Sequence, residues 1–505
     1  MVIVACTIRP LSTCWAIRPA SVAFQIADKL HLKNAPAFGT RSLRSVYGKR
    51  NPQPTLNHCR RTPAQNILVP NVLPSPKTYT GYYPGRNQLA PIFMHSEKQF
   101  DSISPDLPLN FASFNTLPSE VFSFAPLMKH THRHWRYFFR LLSQKSWVYT
   151  EMTAADNIIS RDSAYVNNAL RYSKEEHPIA LQLGGADPVA LAAAARIAVF
   201  DYGYDAINLN CGCPSPTVSG VHAAGAAHML DPVHAARCCA AMVAAVPGTP
   251  VTVKCRTGVS FAAGGGGVAE RRGLETYEEL RRFVARVSED GGVRRFVVHT
   301  RAALLGAGTI ENRHVPPLDR CSARRLAQDL PHLSFVVNGA VSDPAAAAAL
   351  LRDSDVPGRF DGVMAGRAVV NHPWAWSLTD ALLHGLPGPP PTAATRGAAL
   401  AAYIHYAEAQ TAERAASGAG RDLEFERRVA APVFNLFAGE PCAPPWRRCL
   451  SKLLARGATA HAAIRAAAAF LPAEALAVPA GSAPAELPHY ARAALSVGQL
   501  RATIS

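Results

Sequence analysis

Polar side chains stand at or near the ends of successive apolar runs: Gln182, Asn210, Lys254, His299, the pair Asn338 and Gly339, and the pair Gly366 and Arg367. Taken singly, a Gln, Lys or His in such a place more often caps a strand or bonds locally; brought together, they would line one polar site. Two thiols lie among them, in Asn208-Leu209-Asn210-Cys211-Gly212-Cys213-Pro214-Ser215. A thiol with an ordinary pKa of about 8.5 can give up a proton near neutral pH. The Gly-Cys-Pro turn breaks the strand register between the two, which predicts packing for Cys211.

Eight apolar runs, each followed by helix-like sequence, must position these groups: Phe122 to Met128, Trp147 to Met152, Ile179 to Gly184, Ala206 to Gly212, Val251 to Gly258, Phe296 to Arg301, Phe335 to Gly339 and Gly362 to Arg367. Alternation of this kind argues a parallel sheet with crossover helices. The fold class is therefore α/β, a TIM barrel followed by a small C-terminal helical domain, with a doubly wound open sheet as the alternative. In a barrel the C-terminal strand ends converge on one mouth, where such folds keep their chemistry. The loops after strands seven and eight, the usual phosphate site, carry the glycine-containing pairs, so a bound phosphorylated cofactor follows.

The chain divides by composition into a leader over 1–96, a barrel over 117–386, a helical domain over 395–471 and an Ala/Pro-rich tail over 472–505 that should be loosely ordered. Pro387 to Thr392 reads as a hinge. The helical domain is expected to carry helices near Gly397–Ala416, Glu424–Phe437, Trp446–Leu454 and His461–Ala469. Gly264 to Gly267 reads as a low-complexity insertion, because no strand-to-helix turn surrounds it.

The formal charge of +16 has to be located before it is used. Up to Ser96 twelve basic residues face a single acid, Asp28; without them, 40 basic residues stand against 35 acidic ones. Overall basicity is thus weak evidence for RNA binding. The leader, rich in Arg, Ser, Thr, Pro and Asn, has the composition of an organelle transit peptide, with the chloroplast ahead of the mitochondrion. A retained disordered basic tail is the alternative. The 11 cysteines form neither a C-x-x-C pair nor a zinc-finger spacing, so neither disulfides nor a metal is expected. The nearest approach to a membrane span, Cys238 to Val253, is broken by Pro247 and Pro250.

Motifs in register extend the pattern: Ala125-Pro126-Leu127-Met128, Tyr149-Thr150-Glu151-Met152, Glu176-His177-Pro178 leading to Leu181-Gln182-Leu183-Gly184-Gly185, Val253-Lys254 with Arg256, His299 with Arg301, Glu311-Asn312-Arg313-His314-Val315-Pro316-Pro317-Leu318, Asn338-Gly339 and Gly366-Arg367. With Asn210-Cys211-Gly212-Cys213-Pro214, these resemble the tRNA-dihydrouridine synthases from about Phe122 to Leu450. The Asn312 to Leu318 signature resembles the branch acting on D-loop positions 20 and 20a.

The resemblance implies an FMN-dependent, NADPH-driven reduction of uridine in tRNA by a monomer. Reducing the uracil C5=C6 bond needs hydride to C6 and a proton to C5, hence a reduced flavin on one ring face and an acid on the other. By carry-over Cys213 is that acid. Gln182, Lys254 and His299 should contact the flavin, with Lys254 near N1 and C2=O, and Pro126, Leu127 and Met128 should line its site. Asn338, Gly339, Ala340, Gly366 and Arg367 should hold its phosphate. Asn210 should face the target uracil, flipped out of the tRNA, while Arg301, Asn312, Arg313 and Arg447 should meet the RNA.

Some residues depart from the family pattern. Lys129 and His132 replace acids, Gly220 to Gly225 lacks an aromatic and a glycine, His228 replaces an apolar residue, and Pro444 replaces an arginine. Ala340 replaces a glycine, which is tolerable only if φ there stays below zero. Two other readings stay open: an FMN barrel acting on a free pyrimidine-like molecule, and a tRNA-binding relic with weak activity.

Overall fold

Eight strands close into a ring: β1 (Phe122–Phe124), β2 (Trp147–Tyr149), β3 (Ile179–Gly184), β4 (Ala206–Cys211), β5 (Val251–Arg256), β6 (Arg295–His299), β7 (Ser334–Asn338) and β8 (Gly362–Ala365). They pair in the order β2, β1, β8, β7, β6, β5, β4, β3, and β2 pairs with β3 to complete the circle. Every pairing round the ring is parallel. In this computed structural model the described residues are 117–481, apart from 222–223, 263–272, 275, 309, 354–357 and 421. The leader, the Gly264 to Gly267 run, His222 and the chain beyond Gly481 lie outside them.

Each strand is one of the expected runs, mostly cut short at its C-terminal end. Pro126 offers no N–H to continue β1, and the Asn210 side chain, not a neighbouring strand, takes the N–H groups of Gly212 and Cys213. The chain therefore leaves the ladder where the polar residues begin.

Period-two alternation sorts the side chains. Along β4, Ile207, Leu209 and Cys211 face the helices in the main core, while Ala206 joins a small interior cluster with Ala125, Trp147, Tyr149, Ala180, Val297, Val336 and Met364. A buried polar floor closes the end away from the site. Glu120 accepts from Tyr149 Oη at 2.9 Å and pairs with Arg295 at 3.3 Å, and Arg295 also donates to the Pro118 carbonyl at 2.6 Å. Burial pushes the Glu120 carboxyl up despite Arg295.

Helices Ala155–Ser160 and Ser163–Leu170 join β2 to β3, and the other main crossover helices are α1 (Arg133–Leu142), α2 (Pro188–Arg196), α3 (Pro232–Ala245), α4 (Tyr277–Glu289), α5 (Arg320–Asp329) and α6 (Pro344–Arg352). An Asp-Pro pair starts α2, α3 and α6: Asp187, Asp231 and Asp343 accept from N–H groups of the first turn, and proline takes the first helical position, where its missing N–H does no harm. Thr276 and Glu279 form a reciprocal capping box on α4. By contrast, His132 at the start of α1 makes no side-chain cap.

The C-terminal helices are α7 (Arg396–Ala416), α8 (Leu423–Ala430), α9 (Ala443–Ala455) and α10 (Ala460–Ala468). They pack on α1, which is buried on both sides: Phe139 meets Phe122 and Phe124 of the barrel, while Tyr137 stacks on Tyr406 of α7 with centroids 3.8 Å apart. The expected hinge is fastened, since Thr392 donates to the Leu141 carbonyl and Ala393 is fully buried. Past Pro472 the chain forms a helix at Ala473–Ala477 and a bridge from Pro479 to Thr395, where composition alone suggested a loose tail.

Candidate active site

The top interior row of the barrel brings together Asn210 opposite Lys254, Arg256 opposite His299, and His299 opposite Asn338. Asn210 Oδ1 accepts the N–H groups of Gly212 at 3.1 Å and Cys213 at 2.9 Å. This small ring holds the turn that leaves Cys213 partly exposed at the mouth. Arg256 donates to the Gly212 carbonyl at 2.8 Å and to the Ala302 carbonyl at 3.1 Å, tying that turn to the loop after β6. The turn is closed from below by Ala226, whose N–H donates to the Cys213 carbonyl at 2.9 Å.

Cys211 faces the other way, fully buried beside Cys238 and Cys239 of α3 and Cys255 of β5, and burial holds its thiol well above the ordinary range. The two thiols are thus separated by the sheet, one inert among helix-facing side chains and the other at the mouth.

The mouth is strongly cationic. Burial, then Arg256 beside it, pushes the Lys254 ammonium down to about 8. Burial also depresses Arg256 to about 10, with Arg301 and Arg367 adding to the effect. His299 is held well below its ordinary value by burial, then by Arg256, Lys254, Arg301 and Arg367, so its imidazole is neutral at pH 7. Arg313 and Arg301 act in the same direction on Arg367. Cations that repel one another in a partly desolvated cavity are arranged for an anion.

The residues present fit a planar, hydrogen-bonding, phosphate-bearing group. His299 Nδ1 is buried without a partner. Met128 projects at the mouth with 59% of its surface exposed, an apolar side chain with nothing over it among the described residues. Pro126 and Leu127 line the same loop, whose turn is held by Thr131 Oγ1 accepting from the Leu127 N–H at 2.9 Å. In the phosphate-loop candidate, Gly339 has φ +127° and a β-carbon there would lie 2.6 Å from Thr300 Oγ1, so only glycine fits. At Gly366 a β-carbon would press on Ala125 at 3.1 Å. The flavin expected from the sequence would be held by Gln182, Lys254, His299 and these two loops.

Asn210, half-buried at the mouth, holds the Cys213 turn through Oδ1 and donates from Nδ2 to Gln182 Oε1 at 2.9 Å. Two expectations need correction. Asn312 does not reach the surface: it is buried, accepting the Leu304 N–H at 2.7 Å and donating to the Leu304 carbonyl at 2.8 Å, so it fastens the loop after β6 to the Glu311–His314 turn. Ala340 does not keep φ below zero but sits at +49° in the left-handed region. Lys129, at φ +67°, is the other non-glycine residue so placed among the described residues.

The remaining expected RNA contacts are solvent-facing or half-buried. Arg313 is exposed beside Arg367, Arg301 donates to the Pro316 carbonyl, and Arg447 donates to Asn435 Oδ1 at 3.4 Å. Between the mouth and the C-terminal helices runs a cleft of about 460 Å³ lined by Lys129, His130, Trp135, Arg427 and Asn435. Sequence reasoning did not single out His130 or Arg427, and gave Arg256 no role. Nothing local distinguishes them from surface cations, because their significance comes from which loops meet. Among the described residues no group of three or more His, Cys, Asp or Glu could hold a metal, and no helix is long and apolar enough to cross a membrane.

Comparison with known proteins gives the same picture. The chain is 38% identical over 331 residues to a Vibrio parahaemolyticus protein named tRNA-dihydrouridine(20/20a) synthase, covering 65% of this chain and 90% of that one. Proteins of the same name from Pseudomonas putida (41% over 288 residues, 57% and 78% covered) and Escherichia coli K12 (38% over 333 residues, 66% and 86% covered) are similarly close. Among solved structures, morphinone reductase in complex with tetrahydroNAD shows a loose likeness, with a TM-score of 0.35 and 12% identity over 55% of this chain and 90% of that one. The family model described as dihydrouridine synthase matches residues 123–469, from the first barrel strand through the C-terminal helices. With its barrel, its cationic mouth and the Cys213 turn within that span, the chain belongs to the dihydrouridine synthase family.

Proposed function

We propose that this chain reduces uridine to 5,6-dihydrouridine in the D-loop of tRNA, using FMN reduced by NADPH. The observation that carries the reading is the Cys213 turn, which sets a thiol at the mouth beside Lys254 and Arg256 of the neighbouring strand, with His299 on the strand after it. FMN, when bound, supplies the hydride for uracil C6. The chain's own residues do the rest. Lys254 and Arg256 hold positive charge where negative charge collects, an effect that is strong in a partly desolvated cavity. Neutral His299 offers its free Nδ1 as a hydrogen-bonding group. Cys213 Sγ gives its proton to C5 from the far face of the ring.

A uracil inside a folded tRNA cannot reach this mouth without being turned out of its stack. The cleft beside Lys129, His130 and Arg427, with Arg313, Arg367 and Arg447 around it, provides the phosphate contacts that would hold the RNA while one base enters. Purified protein supplied with FMN, NADPH and an unmodified tRNA transcript should yield dihydrouridine, detected by nucleoside mass spectrometry. Reduction of free uridine at a comparable rate would instead favour a small-molecule oxidoreductase, and absence of any product would reject both. For the leader, import into an organelle, with the chloroplast first, is the corresponding proposal: a fusion of residues 1–96 to a fluorescent reporter that stayed in the cytosol would refute it.

A further inference from the structure

Inside the barrel, one layer below the site, lies an amide that the flavin and uracil contacts do not use. Asn208 points inward from β4, two residues before Asn210, and is fully buried. Its immediate neighbours in the row are Gln182 on β3 and Thr252 on β5. Buried amides are kept where their groups are paired, and here the pairing is complete. Asn208 Nδ2 donates to Thr252 Oγ1 at 2.9 Å, Asn208 Oδ1 accepts from Gln182 Nε2 at 2.8 Å, and Gln182 Oε1 accepts from Asn210 Nδ2 at 2.9 Å. Asn210 Oδ1 then accepts the N–H groups of Gly212 and Cys213.

The polarity of this relay follows from its ends. Backbone N–H groups can only donate, so Asn210 must turn its oxygen to the Cys213 loop and its nitrogen to Gln182. Gln182 must then present oxygen upward and nitrogen downward, and Asn208 must meet it with oxygen. At the other end Thr252 Oγ1 gives its proton to the Ile207 carbonyl at 3.2 Å, so it accepts from Asn208. Both ends require the same sense. Inverting one amide would set two NH2 groups against each other, or an NH2 against the Cys213 N–H, so the three amides turn together or not at all.

We propose that Asn208 is a positioning residue for the proton-donating thiol: through Gln182 and Asn210 it fixes the orientation of the Cys213 loop from the middle of the barrel. This rests on the reading of Cys213 as the group that delivers a proton to the substrate. Asn208 touches neither substrate nor cofactor, and its effect passes through the relay.

Three variants of the full-length, FMN-loaded protein test this. Asn208→Leu keeps the branched shape, with slightly more bulk, and removes the acceptor for Gln182. Asn208→Asp retains an acceptor; burial favours its protonated form, whose O–H can still donate to Thr252. Thr252→Val releases the far end. Two quantities are read: the alkylation rate of Cys213 by iodoacetamide, followed by peptide mass spectrometry with exposed Cys321 as internal reference, and single-turnover reoxidation of the reduced protein over a range of tRNA concentrations.

In Asn208→Leu the maximal reoxidation rate should fall by about tenfold, the scale of losing one buried hydrogen bond, with half-saturation unchanged, and Cys213 alkylation should rise at least about threefold as the loop loosens. Asn208→Asp should bring both back to within about threefold of the wild type. Wild-type values for both readouts in Asn208→Leu would overturn the proposal, as would an Asp variant damaged equally with the Leu variant, which would show that fit and not pairing matters. Should the Leu variant not fold, Thr252→Val must show the same changes in smaller degree, and wild-type values there overturn it. If the wild-type protein failed to reduce tRNA at all, the functional reading would fall while the alkylation series still decided the relay.

Discussion

Gly225 passes so close beneath Cys213 that a β-carbon on it would lie 2.6 Å from the Cys213 carbonyl oxygen and 3.2 Å from the Cys213 β-carbon. Its φ of +59° is also one that L side chains rarely adopt. Gly225→Ala should therefore push the Cys213 turn away from the mouth and lose activity by about 10²-fold, the scale of misplacing a positioned group by an ångström, with flavin still bound. Retained activity in a folded Gly225→Ala protein would show that the turn tolerates displacement.

Cys213→Ala should retain FMN and its reduction by NADPH, since neither step needs the thiol, while reoxidation by unmodified tRNA slows by about 10²-fold or more. Cys211→Ala removes a small, fully buried side chain on the helix-facing side of β4, and should affect stability by about 1 kcal/mol with little change in rate. Stopped-flow reoxidation of the two reduced variants separates them, and equal rates would mean that another group delivers the proton.

Ala340 at φ +49° bears a left-handed backbone conformation that costs an L residue about 1–2 kcal/mol. Relief of that strain exceeds the greater flexibility a glycine brings to the unfolded chain, so Ala340→Gly should stabilise the protein by up to about 1 kcal/mol, and Ala340→Val should destabilise it. Thermal melts of both decide this: a lower melting temperature for the Gly variant would mean that the neighbouring loop, where Arg320 donates to the Gly339 and Ala340 carbonyls at 3.3 Å, depends on the methyl group.

His132 makes the fold sensitive to acid. It is buried with neither ring nitrogen paired, and burial, followed by Arg428, Arg136 and His130, pushes its imidazole down to about 2. The folded protein refuses a proton that the unfolded chain accepts below its ordinary pKa of about 6.5. The associated stability is therefore complete above that pH and lost progressively as pH falls below it, at about 1.4 kcal/mol per pH unit for one such group. His134 is displaced the same way, first by burial, and adds to the slope. Since His132 also starts α1 without a cap, His132→Asn should gain about 1 kcal/mol near neutrality and show a shallower acid slope in urea titrations. An unchanged slope would show that the imidazole is not what the acid acts upon.

The barrel was legible because short apolar runs and the strand-to-helix rhythm are local signals: each of the eight expected runs became a strand of the ring. The site was legible to the level of which residues meet and not of what they do. Gln182, Lys254, His299 and Asn338 stand on inward positions of β3, β5, β6 and β7, as strand-end polarity suggested. What local reading missed were partners supplied by distant loops. Asn312 reads as a surface polar residue because its four bonds go to backbone groups of Leu304, Ala307 and Gly308, and Asn210 reads as a free amide until the return of Gly212 and Cys213 occupies its oxygen. The φ of Ala340 is set by how β7 hands over to α6, which no residue in its neighbourhood announces.

Because α1 is shared between the barrel and the C-terminal helices, with Tyr137 stacked on Tyr406 and His134 bonded to Tyr406 Oη at 2.8 Å, neither part can be cut away at the proline-rich segment without baring aromatic surface. The same joint has a consequence for how substrate arrives. A receptor whose two jaws are welded through one helix has little capacity to close around its guest, so the change of shape that brings a stacked base to a recessed thiol falls on the RNA, and transcripts that distort easily at that base should be the better substrates.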